Sequence, residues 1–141
     1  MPAALGYAAA TIAALGRTPD LRALSLVGVQ VITALRLCAL AERDGIDPAP
    51  ELARRFRSLE AAFALVDLAR TIARCWPEPV MVNRSCCLAL SPDEVTVAGM
   101  LRHATCANRA AFEHDLAGFV RADRHDALWN ASVQAAALLG G

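Results

Sequence analysis

The sequence predicts an all-α protein, a compact bundle of five to six helices in which residues 1–141 form a single domain. Three observations predict it. Apolar residues recur at steps of three and four over long stretches. Helix start and stop signals punctuate the chain at Thr18-Pro19-Asp20, Gly45, Trp76-Pro77 and Ser91-Pro92-Asp93-Glu94. A length of 141 residues suits one domain with one sizeable core.

The first predicted helix runs from Ala3 to Leu15, is rich in alanine and stops at Gly16. The second starts at Thr18-Pro19-Asp20, where a cap precedes a first-turn proline, and runs to about Asp44, with Gly45 as its C-terminal cap. Leu24, Val27, Val31, Leu35 and Cys38 share one face of it. Leu26, Val29, Ile32, Leu37 and Leu40 cover much of the rest, so this helix needs apolar neighbours nearly all round and belongs at the centre.

The third predicted helix spans Pro48 to Cys75. Leu52, Phe56, Leu59, Phe63, Val66, Ala69 and Ile72 form its core face, opposite Arg54, Arg55, Arg57, Glu60, Asp67, Arg70 and Arg74. That charged side reads first as a solvated face, and alternatively as a basic stripe for phosphate or acidic partners. Trp76-Pro77-Glu78-Pro79 ends the helix, because each proline removes a backbone donor and restricts its predecessor. Val80 to Leu90 then reads as an extended loop.

Ser91-Pro92-Asp93-Glu94 is the strongest local signature in the chain. Ser91 caps, Pro92 occupies the first turn and Glu94 closes a capping box. The fourth helix continues to about Ala107 and turns Val95, Val97, Ala98, Leu101 and Thr105 toward the core. A fifth, Arg109 to Arg121, buries Phe112, Leu116, Phe119 and Val120. A sixth runs from Asp123 or His125 to Leu139.

Composition narrows the functional classes. The formal net charge is zero, so no global positive field is present to hold nucleic acid. All 14 basic residues are arginine, which removes lysine Schiff-base and P-loop lysine chemistry and fits a GC-rich bacterial genome. Five cysteines (Cys38, Cys75, Cys86, Cys87, Cys106) show no disulfide-scaffold spacing, which points to reduced thiols and a cytoplasmic location. No basic region precedes the first apolar stretch, so a secretory signal is not expected. Ala23 to Ala41 is nearly continuous in apolar character, but Gln30 and Arg36 interrupt it. An arginine near mid-bilayer costs roughly 2.5–3.5 kcal/mol, so membrane association is not expected either.

One segment resembles a known pattern. Ile72-Ala73-Arg74 leads to Val80-Met81-Val82, then the Cys86-Cys87 pair, then Ser91-x-Asp93-Glu94 and a helix. Over about residues 70–105 this is similar to an uncharacterised family of short all-helical alphaproteobacterial proteins with a cysteine-rich segment before a Ser/Thr-x-Asp-Glu helix start. The resemblance implies the helical fold and no activity. Here Leu88-Ala89 follow the pair, where the family often carries a further Cys or Pro.

Cys86, Cys87, His103, Cys106, His114 and His125 cluster in the second half of the chain. Thiolates with imidazoles suit zinc, and His103 and Cys106 share a helix face. One candidate site is therefore zinc held by Cys86, Cys87, His103 and Cys106, although adjacent cysteines in an extended segment point to opposite sides. A second is a redox thiol at Cys86 or Cys87, favoured by Arg84 and the nearby start of the fourth helix. Catalysis finds no paired nucleophile and base, and no phosphate-binding glycine pattern or other cofactor motif is present.

The reading that ranks first is a non-enzymatic helical interaction or scaffold protein. It forms a homo-oligomer, or binds a protein partner, through apolar helix faces. The hydrophobic fraction of 56% and mean hydropathy of +0.37 exceed ordinary soluble usage, an excess that a subunit interface would absorb. The Ala-rich first helix and the run Val133 to Leu139 both need neighbours.

Overall fold

The computed structural model describes residues 19–139. It is an all-α bundle: α1 (Leu26–Asp44), α2 (Ala49–Phe56), α3 (Leu59–Cys75), α4 (Pro92–Thr105), α5 (Arg109–Leu116) and α6 (His125–Leu139). Short 3₁₀ turns occupy Leu21–Ala23 and Ala122–Arg124. The predicted helix Ala3–Leu15 lies outside the described residues. The described residues nevertheless hold six helices, because the predicted third helix is two.

The break in that helix is local chemistry. Arg57 adopts a left-handed backbone (φ 55°), a conformation that costs a non-glycine residue and rarely occurs inside a helix. Ser58 then caps α3 by accepting from the Ala61 N–H at 3.1 Å. A break re-phases everything after it. Leu59 and Phe63, expected in the core, are 58% and 57% exposed, whereas Ala61, Ala62, Leu65, Leu68 and Ile72 form the buried face.

The second predicted helix also starts later. Asp20 accepts from the Arg22 N–H at 2.7 Å and caps only the short 3₁₀ turn, while Ser25 caps α1 through the Gly28 N–H at 3.2 Å. At its far end Gly45 takes the left-handed conformation (φ 69°). Its N–H donates to Glu42 O at 3.2 Å and that of Ile46 to Ala41 O at 2.8 Å, closing the orphan carbonyls. The fifth helix is shorter than expected, since Ala117 leaves helical geometry and Gly118 follows at φ 78°. Phe119 is thereby left 40% exposed, edge-on to Trp76.

Helix α3 lies along α6 and α2, while α4 crosses α1, α5 and α6. The shared core contains Val31, Ile32, Leu52, Leu65, Leu68, Ile72, Val97, Met100, Leu101, Phe112, Leu116 and Leu128. Val95, expected among them, points outward at the start of α4. None of the described helices is long and apolar enough to cross a membrane.

Candidate functional site

Three places concentrate chemistry. The first is the convergence of α1, α4 and the segment between α3 and α4. Arg36, the arginine that interrupts the apolar character of α1, is buried. Its Nε donates to Glu94 Oε2 at 2.7 Å and Nη2 to Oε1 at 3.0 Å, a bidentate pair. The remaining donors reach two loop carbonyls, Cys87 O at 2.6 Å from Nη1 and Ala89 O at 3.0 Å from Nη2. Glu94 has no solvent exposure and also accepts from the backbone N–H groups of Ser91 at 2.9 Å and Asn83 at 3.3 Å. Burial pushes its carboxyl up, but the Arg36 guanidinium and these backbone donors outweigh it and hold Glu94 below its ordinary value. The capping box read from Ser91 to Glu94 is present. Its glutamate carries a second duty that spacing alone does not show.

That knot fixes the segment before α4. Cys87 N–H donates to Arg84 O at 2.9 Å, closing a turn, and Asn83 Nδ2 donates to Ala89 O at 2.8 Å. Leu90 N–H donates to Pro19 O and Leu21 N–H to Leu88 O, tying the chain before α1 to the same strap. Cys86 is exposed on this turn and Cys87 half-buried. The charge of Arg36 lies close enough to interact with both thiols.

The zinc set does not assemble. Cys86 and Cys87 sit at the N-terminal end of α4, whereas His103 and Cys106 sit at its C-terminal end. The nine helical steps from Glu94 to His103 alone span roughly 14 Å. His103 Nε2 instead pairs with Asp115 Oδ2 at 2.7 Å, tying α4 to α5. Cys106 is exposed at the end of α4. Among the described residues no group of three or more His, Cys, Asp and Glu side chains is placed to hold a metal ion. His114 is exposed, and His125 is buried, donating from Nε2 to Val120 O at 3.0 Å. Cys75 is buried, with Sγ 4.0 Å from Arg124 O. Burial pushes the Cys38 thiol up to about 11, which leaves it protonated and unreactive near neutral pH.

The second place is a groove of about 970 Å³ between the C-terminal halves of α1 and α3, lined also by residues 76–80 and Val82. Its walls are apolar, with Leu35, Cys38, Val66 and Ile72 among them, and Ile46 stands 63% exposed at its rim. Glu42, Arg70, Arg74 and Glu78 are its charged lining residues. A smaller hollow of about 470 Å³ is lined by Pro19, Leu24, Gly28, Leu90 and Gly99, among others.

The third place is the outer stripe of α3. Leu59, Glu60, Phe63, Asp67, Arg70 and Arg74 are all exposed and, at 100° per residue, fall within an arc of about 100°. Among the described residues none of the four charges belongs to an ion pair. By contrast Arg54, on α2, pairs with Glu51.

The chain matches no protein-family model, no curated protein and no solved structure.

Proposed function

We propose that this protein is a non-enzymatic helical interaction module whose working surface is the outer stripe of α3 with the groove beside it. The observation that carries this reading is the pair Leu59 and Phe63, one helical turn apart and each more than half exposed. Single exposed apolar residues are ordinary on protein surfaces. An aromatic and a leucine at i and i+4, on the helix whose C-terminal half walls an apolar groove, form the kind of patch that marks an interaction site. The charges along the stripe supply orientation rather than bulk affinity.

The test is site-specific photo-crosslinking in cells with a benzophenone side chain at position 63 or 73, and at Ala110 on α5 as an exposed control. The expected result is adducts from positions 63 and 73, mapped by mass spectrometry to one defined helical segment, and none from 110. Equal labelling from all three positions would overturn the reading.

The Cys86-Cys87 turn favours a second reading, a thiol-based redox sensor. Both thiols sit in one hydrogen-bonded turn, that of Cys86 exposed, with the Cys87 carbonyl held by a buried guanidinium. With a small dialkyl disulfide as oxidant, the Cys86 thiolate attacks one sulfur and expels a thiolate. Cys87 then displaces the second, forming the Cys86–Cys87 bond and releasing two thiols that carry the two protons. Peptide mapping after treatment with glutathione disulfide checks it. An intramolecular Cys86–Cys87 link supports the sensor, and glutathione adducts on Cys86 and Cys106 alike, with no such link, count against it.

A further inference from the structure

The order of residues along the α3 stripe identifies the partner, granted the interaction reading above. From its N-terminal end the stripe reads Leu59, Glu60, Phe63 and Asp67, apolar and acidic, and then Arg70 and Arg74, basic. A face with this order is complementary to itself turned end for end. Laid parallel, two copies would set acid against acid and base against base. Laid antiparallel with the twofold axis between Asp67 and Arg70, Asp67 faces Arg70 and Phe63 faces Arg74, with Glu60 within one turn of Arg74, and each contact occurs twice because a twofold axis repeats it. We propose that the partner is a second copy of this chain, docked with its α3 antiparallel to the first across the outer stripe.

The apolar residues fit the same arrangement. The antiparallel register brings Leu59 and Phe63 of each copy to the C-terminal half of the other's α3. Arg70 and Arg74 stand there beside the groove formed with α1. The Phe63 ring meets a guanidinium it can stack on, and Leu59 meets the apolar groove wall. Antiparallel packing also opposes the two helix dipoles favourably.

The stripe from Leu59 to Arg74 is roughly 23 Å long, so the contact falls toward the small end of specific interfaces. The dimer is accordingly one that dissociates on dilution, and salt weakens it by screening the exposed pairs.

The experiment is sedimentation velocity on the full chain and two charge-reversed variants. The first, Glu60→Arg with Asp67→Arg, makes the stripe wholly basic. The second, Arg70→Glu with Arg74→Glu, makes it wholly acidic. All four positions are exposed, and circular dichroism checks that both variants keep the helical fold. The wild type is expected to dimerise, each variant alone to bind itself roughly tenfold more weakly or worse, and the equimolar mixture to recover a one-to-one heterodimer. A wild type that stays monomeric at every concentration overturns the proposal, as do variants that dimerise as the wild type does, or folded variants that fail to pair when mixed. If position 63 crosslinks to a different protein while the wild type is monomeric, the second copy is wrong and the interaction module stands. If position 63 crosslinks only to residues 1–18 of its own chain, both fall.

Discussion

Arg36 and Glu94 meet where α1, α4 and the strap before α4 converge, and water is excluded from both. Glu60, Asp67, Arg70 and Arg74 line the outside of α3 and meet no opposite charge within the described part of the chain. The same side-chain chemistry thus serves opposite ends in the two regions. In the buried knot every polar atom has a partner, and removing one leaves others orphaned at a large cost. On the stripe each charge already has water, so an exchange costs the fold little and alters only what the surface can pair with. The knot ties three segments of the fold together, and the stripe lies open to solvent.

The difference between the two regions is largest at Glu94. Replacing it with glutamine leaves the Arg36 charge buried without its counter-ion, and the expected loss of unfolding free energy is about 3–5 kcal/mol. Urea denaturation measures it. Arg36→Met should cost a similar amount, since it orphans the Cys87 carbonyl and leaves the buried glutamate without its counter-ion. A loss under 1 kcal/mol in both variants, by the usual size of a surface pair, would mean the knot is no different in kind from the stripe.

Acid titration sharpens the same contrast. Glu94 is held below its ordinary value of 4.5 when folded, so an unfolded chain takes up its proton first as the pH falls. The stabilisation is present in full above 4.5 and is lost as the pH drops through the lower folded value. The wild type should therefore lose more stability than Glu94→Gln over that acid window, with the difference read from urea midpoints at each pH. Parallel curves for the two proteins would show that ionised Glu94 contributes nothing.

A smaller effect tests why the stripe faces outward at all. The Ser58 cap and the left-handed Arg57 set the phase of α3, so Ser58→Ala should cost about 1 kcal/mol, seen as a lower denaturation midpoint. It should also raise hydrogen exchange at the first turn of α3, where the Ala61 N–H loses its acceptor. Unchanged exchange there would mean that packing against α2 and α6, and not the cap, positions the helix.

How far these features were legible in the sequence follows from the range of each signal. The capping box, the Trp76-Pro77 stop and the Gly45 cap are local, and all three stand where the residues put them. The exposure of Leu59 and Phe63 was hidden, because one continuous period fits residues 52–72 until a single left-handed residue re-phases it. A serine three residues before Ala61 was the available sign, in the form of an N-cap within an apparently unbroken helix. Arg36 was visible as an anomaly in an apolar helix. Its partner lies 58 positions away, and no spacing rule reaches that far. The thiol and imidazole residues failed to converge for a related reason. They are close in sequence, but α4 is a rigid rod between them.

The smallest expected effect on stability is the one that most isolates the stripe's role. Phe63 and Phe112 are the same residue type on different helices, one 57% exposed and the other fully buried. Phe112 packs edge-on against Trp129 with ring centroids 5.1 Å apart, so Phe112→Ala should cost about 3–5 kcal/mol through the cavity it leaves. Phe63→Ser removes a ring that α3 does not bury within the monomer, and its unfolding free energy at low protein concentration should stay within about 0.5 kcal/mol of the wild type. Its effect belongs instead to association: the concentration dependence of the melting temperature, expected for a folded dimer, should disappear in Phe63→Ser and persist in a variant changed on α5. If Phe63→Ser destabilises the dilute protein as Phe112→Ala does, the ring is a structural residue after all, and the surface that distinguishes α3 from the other helices loses its apolar centre.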